Sequence, residues 1–412
     1  MADKQQISLT QCTTPMVRVD SESLENTENS WLNLARRVHG LYIHIPFCFH
    51  KCHYCDFFSI ANADNEHERF THALVQELQT VAPHIGEIET IFIGGGTPTL
   101  LEDSLLLNVL ETVKNTIATT QTVEWTVEAN PETVTASNAA MLVESGVNRI
   151  SLGAQTFHPI LLKELERWHD PENVHKSVAM LREAGIENIN LDLIYAIPSQ
   201  TMGMLKADLD QLLAINPEHL SCYALAYEPN TPLEVKLRKG AVNRIEHDLE
   251  AEMFSFVSKT LKSNGYGQYE ISNFSKAGYE CKHNVMYWEN KSWWACGPSA
   301  AGHIEGLRWR NVPRLRDYFK QTPLPPVIDV EQLSLDRQMG EVCMLGLRLS
   351  RGIPRKRVED VIQQSTNHWR GEVIDKHIKG DLLEWQNNAL ALTEKGRLVA
   401  DMVIGDLLMQ DT

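Results

Sequence analysis

From residue 41 onward the chain alternates short apolar runs with segments of helical period, and this alternation restricts the fold more than any other feature. The runs are LYIHIP at 41, TIFIGG at 90, EWTVEANP at 124, RISLGAQT at 149, NINLDLIYAIP at 188 and LSCYALAYEP at 220. Each is rich in β-branched, aromatic or alternating residues, as strands are. Between them lie HERFTHALVQELQTVA, LLLNVLETVKNTI, NAAMLVESG, NVHKSVAMLREAG and MLKADLDQLLAINP, several stopping at Gly or Pro. Strands that alternate with helices predict an α/β fold with a parallel sheet. Six units are few for a closed eightfold barrel of about 250 residues. The pattern therefore predicts a partial six-unit (β/α) barrel over residues 39–230.

The flanking regions read differently. Residues 1–38 are polar and aperiodic, as an N-terminal extension would be. Residues 231–310 turn aromatic and irregular (GYGQYEISNF, HNVMYWENKSWWACGPSAAGH) and read as a connecting region. Helical patterns return over 311–412, where LTEKGRLVADMVIGDLL suggests a cap and a terminal amphipathic helix. A small helical, winged-helix-like C-terminal domain is expected there. The net charge of -16 argues against a nucleic-acid partner, which calls for excess positive charge. The N-terminus lacks a basic segment followed by an apolar run, and no apolar stretch approaches the roughly 18 residues of a membrane span. A cytoplasmic protein is expected.

Alternation along a strand sorts side chains onto two faces. Ile43 and Ile45 oppose Tyr42 and His44; Trp125 and Val127 oppose Glu124, Thr126 and Glu128. Ile150, Leu152 and Ala154 oppose Ser151, Gly153 and Gln155, and Ile189, Leu191 and Leu193 oppose Asn190 and Asp192. A packed barrel core is apolar on its inner face. Polar groups on four inner faces predict a wet or ligand-filled lumen. Glu128, Gln155 and Asp192 come late in their strands, where ligands gather in parallel α/β folds.

Just after the first run stands IPFCFHKCHYCDFFS, with Cys48, Cys52 and Cys55 spaced C-x3-C-x2-C. The other five cysteines, Cys12, Cys222, Cys281, Cys296 and Cys343, are scattered, so the cluster reads as a metal site rather than a disulfide framework. Two sites satisfy the spacing. One is a structural zinc completed by His44, His50 or His53. The other is an iron–sulfur cluster on three thiolates, with one iron left for an exogenous molecule. Placement at the predicted mouth favours the second. GGGTP at 94–98 also ends a strand. It reads either as an ordinary strand-to-helix turn or as a turn whose glycines admit a ligand and whose N–H groups meet a carboxylate.

Taken in order, YIHIPFCFHKCHYCDF, IFIGGGTPT, EANPET, GVNRISLGAQTF, NLDLIYAIP, YEPNTPL and HNVMYW resemble the radical S-adenosylmethionine (SAM) superfamily. The similarity is strongest over 40–305 and is to its coproporphyrinogen-oxidase-like branch, specifically the HemW-type heme chaperones. The resemblance implies a partial radical SAM barrel with a [4Fe-4S] cluster on Cys48, Cys52 and Cys55. SAM would chelate the fourth iron and be cleaved by an electron from the reduced cluster. Carried over position by position, SAM contacts are implied for Tyr42, Tyr54, the backbone of Gly95 and Gly96, Thr97, Glu128, Gln155, Arg167, Asp192 and Ala226. A flavodoxin-type electron donor is implied as well.

In the porphyrinogen-oxidising members the cysteine run continues as C-x3-C-x2-C-x-C; here that last position is Phe57, which has no donor atom. The chaperone branch carries C-D-F, as here, and an H-N-x-x-Y-W motif linked to heme, here His283, Asn284, Tyr287 and Trp288. The resemblance thus implies a heme chaperone with heme and heme-accepting apo-proteins as partners, rather than an oxidase. Heme ligation by His283 is one reading of the motif; a local His, Tyr and Trp core is the other. The basic run RWRNVPRLRDYFK from 308 reads first as a solvated helix face. Its alternative is a contact with heme propionates or an anionic membrane surface.

Overall fold

The computed structural model describes residues 32, 34–320 and 324–408. All six expected strands form: β1 (Gly40–Ile45), β2 (Ile88–Gly95), β3 (Thr119–Ala129), β4 (Arg149–Gln155), β5 (Asn188–Tyr195) and β6 (His219–Ala224). They lie side by side in chain order, every pair parallel. The crossovers are α1 (His67–Val81), α2 (Asp103–Thr116), α3 (Ala136–Ser145), α4 (Pro159–Glu164) with α5 (Pro171–Ala184), and α6 (Met202–Ile215). Local sequence sets their ends. Thr135 and Asn138 form a reciprocal capping box at the start of α3, and Gly146 closes that helix at φ 105°.

The outward residues of the strands form the core beneath these helices. Ile43, Ile91, Val127, Ile150 and Leu191 are all completely buried, each worth about 1.5–3 kcal/mol of hydrophobic stabilisation. The barrel is open, because the sheet continues at both edges instead of closing. Residues 231–310, irregular by sequence, contain α7 (Pro232–Arg238) and the 17-residue α8 (His247–Ser263). They also contain β7 (Gly267–Gln268), β8 (Asn273–Ser275), α9 (Lys282–Trp288), β9 (Trp293–Cys296), β10 (Ala301–Ile304) and β11 (Leu307–Asn311). With β12 (Val327–Gln332) the strand order is β12-β11-β10-β9-β1-β2-β3-β4-β5-β6-β8-β7. β9 lies parallel to β1 and adds a seventh parallel strand beside the expected six.

Beyond it follow α10 (Leu335–Gly346), β13 (Ile353–Pro354), α11 (Arg355–Gln364), α12 (Trp369–Lys379), β14 (Leu383–Gln386), β15 (Ala389–Leu392) and α13 (Ala400–Leu408). A helix, a strand, two helices and a hairpin that pairs back onto the first strand make a winged-helix-like unit. It has its own apolar core. Arg308 and Arg310, expected on a basic helix face, lie instead on β11 and pair with Glu341 and Asp329. The expected N-terminal extension lies almost wholly outside the described residues; Ala35 and Val38, at its end, are buried. No helix among the described residues is long and apolar enough to cross a membrane.

One buried carboxyl ties the added strands to the barrel. Glu77 on α1 accepts from Gly297 N (2.9 Å), Asn311 Nδ2 (2.9 Å) and Tyr318 Oη (2.5 Å). Burial pushes its pKa from 4.5 up to about 7, against the pull of those hydrogen bonds. The folded chain thus keeps a proton that the unfolded chain releases. The stability this contributes is fully present below pH 4.5 and is lost as pH rises through about 7. Thermal unfolding between about pH 5 and 8 should therefore show the wild type losing stability with pH relative to Glu77→Gln, whose amide cannot ionise. Parallel curves for the two proteins would contradict this.

Candidate functional site

The inner face of the parallel sheet is polar along its length. Glu124, Thr126, Arg149, Ser151, Asn190, His219 and Ser221 are all buried there. Such groups need partners, because an unmet buried donor or acceptor costs about 1–3 kcal/mol. Near the strand starts the partner is α9. The Glu124 carboxylate accepts from the backbone N–H groups of Lys282 and His283, both at 3.1 Å, and Arg149 Nε stands 4.0 Å from it. Helix α9 therefore plugs the lumen at the end away from the cysteines.

His283 lies on this helix, placed as the local-core reading of its motif expects. The residue is 1% exposed. Nδ1 is hydrogen-bonded to Thr90 Oγ1 (2.9 Å) and Nε2 to Tyr287 Oη (2.8 Å), and the ring stacks on Phe92. Burial lowers its pKa to about 3, so it is neutral. Both nitrogens are engaged within the protein. Tyr287 packs edge-on against Trp293, Arg348 lies 4.5 Å over the Trp288 ring, and Asn284 is half-buried. The motif is a local core between the barrel and the C-terminal domain.

At the opposite end lies the cysteine loop. Phe47–Cys48 pairs in parallel with Ile60–Ala61, and Cys55 N donates to Cys52 O at 3.2 Å. The glycine turn is laced to the start of this loop: Gly96 N donates to Ile45 O (2.8 Å) and Thr97 N to Phe47 O (2.7 Å). Gly95 N donates to Glu128 Oε2 at 2.9 Å. These N–H groups are thus engaged within the protein and do not await a carboxylate, which corrects the second reading of GGGTP. The glycines admit protein neighbours. A Cβ on Gly94 would stand 2.5 Å from Glu128 Oε2, on Gly95 2.2 Å from the His44 ring, and on Gly96 2.5 Å from Phe47 O.

His44 sits beneath this turn. Its Nε2–H donates to Phe58 O (2.8 Å), so Nδ1 accepts from Tyr42 Oη (2.8 Å). Burial lowers its pKa to about 4, which keeps that neutral form. Both nitrogens are engaged, which removes His44 as a zinc ligand. His50 instead stacks on Trp168 with ring centroids 4.2 Å apart. Among the described residues no three His, Cys, Asp or Glu side chains converge on a single ion. A four-iron cube does not require that convergence, because each of its thiolates binds a different iron.

The three thiols are free and at most partly exposed. Thr97 Oγ1 lies 3.9 Å from Cys48 Sγ, and Arg167 Nη1 lies 3.8 Å from Cys52 Sγ. Burial raises the Cys48 and Cys55 thiols, the latter to about 11. A bound metal would reverse that preference, since a coordinating thiol is deprotonated outright. Three sulfurs on one loop, with a guanidinium and a hydroxyl turned toward two of them, suit an anionic thiolate-bound cluster.

The remaining candidates gather at the same mouth. Arg167, in the turn after α4, also donates to Gly153 O at 3.1 Å. Gln155 follows a β-bulge and adopts φ 64°, which turns its side chain back over Gly153. Asp192 accepts from Asn190 Nδ2 at 2.7 Å, and burial raises its pKa. Burial also raises Glu128, to about 7. Tyr54 packs against the small apolar cluster that contains Leu165 and Leu225, while Ala226 is exposed on the loop after β6. Phe57 is 64% exposed, as are Phe49 and Trp168 to similar degrees. Sequence reasoning missed Asp208, a fully buried α6 residue. It accepts from Thr156 Oγ1 (2.8 Å) and Phe157 N (2.7 Å) and so holds the turn that carries Gln155. Its place in a helical pattern gives no signal of that contact.

The family model described as Radical SAM superfamily matches residues 42–212, and the HemN C-terminal domain matches residues 333–399. The curated protein "Heme chaperone HemW" of Lactococcus lactis is 35% identical over 378 residues, covering 92% of this chain and 99% of the relative. Its Escherichia coli counterpart is 38% identical over 386 residues, covering 89% and 97%. The chain belongs to the HemW family of radical SAM proteins. The solved coproporphyrinogen III oxidase HemN of Escherichia coli superposes with a TM-score of 0.79 at 21% identity, covering 92% of this chain and 93% of that one. It shares the fold: a mostly parallel sheet and a helical C-terminal region.

Gly95 gives a direct test of the glycine turn. At φ 104° and with His44 2.2 Å from the position of a Cβ, Gly95→Ala has no room to relax. Chemical denaturation should show a loss of more than about 1 kcal/mol; an unchanged midpoint would mean that His44 moves aside freely.

Proposed function

We propose that the chain is a heme chaperone that binds one [4Fe-4S] cluster, SAM and heme, and delivers heme to apo-proteins. The observation that carries the reading is the cysteine loop itself. Three free thiols lie at the mouth of a radical SAM barrel, and the fourth position of the porphyrinogen-oxidising pattern is Phe57, whose ring points into solvent. Relatives that match about nine-tenths of this chain bear the name heme chaperone.

On this reading Cys48, Cys52 and Cys55 hold the cluster, and Arg167 and Thr97 stabilise its sulfur ligands. When bound and reduced, the cluster supplies the electron that cleaves SAM. With their N–H groups engaged, Gly95 and Gly96 offer only carbonyl oxygens. These suit the amino group of SAM rather than its carboxylate. Glu128 and Asp192 would accept from the ribose hydroxyls of SAM, Tyr42 and Tyr54 line the same mouth, and Gln155 and Ala226 would complete its contacts. A flavodoxin-type protein supplies electrons, and the oxygen-sensitive site suits the reducing cytoplasm.

Anaerobic reconstitution should give about four irons per chain, and a Cys48→Ala variant should lose them together with the brown chromophore. Incubation of the loaded protein with coproporphyrinogen III, SAM and reductant should yield no protoporphyrinogen. Turnover would replace the chaperone reading with an oxidase; retention of zinc in place of iron would replace both.

A further inference from the structure

Inner residues of three neighbouring strands stand in register: Ser151 on β4 opposite Asn190 on β5, and Asn190 opposite His219 on β6. All three are buried. One carboxylate fixes the direction of the hydrogen bonds among them. Asp192 Oδ1 lies 2.7 Å from one end of the Asn190 amide, and a carboxylate only accepts, so that end is Nδ2. Its second hydrogen goes to Ser151 Oγ at 2.8 Å. Asn190 Oδ1 therefore faces His219 Nδ1 at 2.6 Å, and the ring proton sits on that nitrogen. His219 Nε2 is left to accept from Tyr269 Oη at 2.8 Å, and that oxygen accepts in turn from Cys281 N at 3.4 Å. Burial lowers the pKa of His219, in keeping with a single ring proton.

The Ser221 hydroxyl, 3.1 Å from Asn190 Oδ1, fills the second acceptor site of the amide. Both hydrogens and both lone pairs of Asn190 are thus engaged, and its side chain cannot turn over without breaking them. The outer end of the series is anchored as well, since Ser350 N donates to Tyr269 O at 2.9 Å. Each donor in such a series polarises the next. The series ends on Asp192, which stays partly exposed where Ser151, Asn190, His219 and Ser221 do not.

We propose that Asn190 is a positioning residue: locked by His219 and Ser221, it holds the Asp192 carboxylate at the angle at which a ribose hydroxyl of SAM meets it. The inference rests on the reading of Asp192 as a ribose contact and extends it to residues that touch no ligand. Asn190 and His219 act through Asp192 alone.

The test is SAM binding to the cluster-loaded full-length chain, measured by anaerobic equilibrium dialysis beside the 2′-deoxy and 3′-deoxy analogues of SAM. The wild type should prefer SAM to one of these by about tenfold or more, the worth of a hydroxyl donated to a carboxylate. Asp192→Ala should abolish that preference. Asn190→Leu and His219→Leu should lose most of it, and His219→Asn, whose amide can place an N–H near the position of Nδ1, should recover it. Iron content at the wild-type level reports an intact fold; if Asn190→Leu loses iron, the two His219 variants decide. General loosening weakens SAM and its analogues alike and leaves the ratio unchanged. A wild-type ratio in the folded Leu variants would therefore overturn the positioning role and leave the SAM reading standing. A ratio that survives Asp192→Ala would remove Asp192 from the ribose and the inference with it. A wild type that binds no SAM would overturn the SAM reading itself.

Discussion

Each of the six strands β1–β6 turns polar side chains inward, and the need to satisfy them once buried organises the rest of the molecule. At the strand starts the protein meets that need itself: Glu124 takes up the first N–H groups of α9, with Arg149 beside it. At the strand ends no helix among the described residues does so. Glu128 and Asp192 are held by burial above the usual carboxylate range. The Gly95 N–H and the Asn190 amide offset that burial only in part, so a ligand rich in donors would further stabilise their charged forms. One end of the lumen is therefore a structural joint and the other the mouth where the proposed cofactors would bind, built from the same strand pattern.

The glycine turn shows how closely fold and site are merged. The residues that leave space at the mouth are the ones that let His44 and Glu128 pack against the backbone, and the same turn is hydrogen-bonded to the first residues of the cysteine loop. Neutral His44 extends this coupling, linking Tyr42 in the lumen to the Phe58 carbonyl beyond the last cysteine. A change at any of these positions moves both the sheet and the loop.

Much of this was legible in the sequence. The six strands and their crossovers follow from period and punctuation, and alternation placed Glu128 and Asp192 on the inner face. It also placed Gln155 there, although the structure reaches that face through a bulge and a positive φ. What could not be read depends on contacts between segments far apart in the chain. Nothing in HNVMYW indicates that its helix caps onto Glu124, 159 residues earlier, or that this leaves both nitrogens of His283 engaged. The aromatic density of residues 231–310 masked the strands that extend the sheet past β1. Arg167 stands in a turn, and only the folded chain brings it to Cys52.

The central claim is that a radical SAM core here serves a carrier. The most direct measurement is transfer: the reconstituted, heme-loaded chain is mixed with an apo-hemoprotein, the two are separated, and heme is followed by absorbance. The account predicts that heme leaves the chain and appears in the acceptor as its holo spectrum. Heme that stays on the chain, with the acceptor remaining apo, would contradict it.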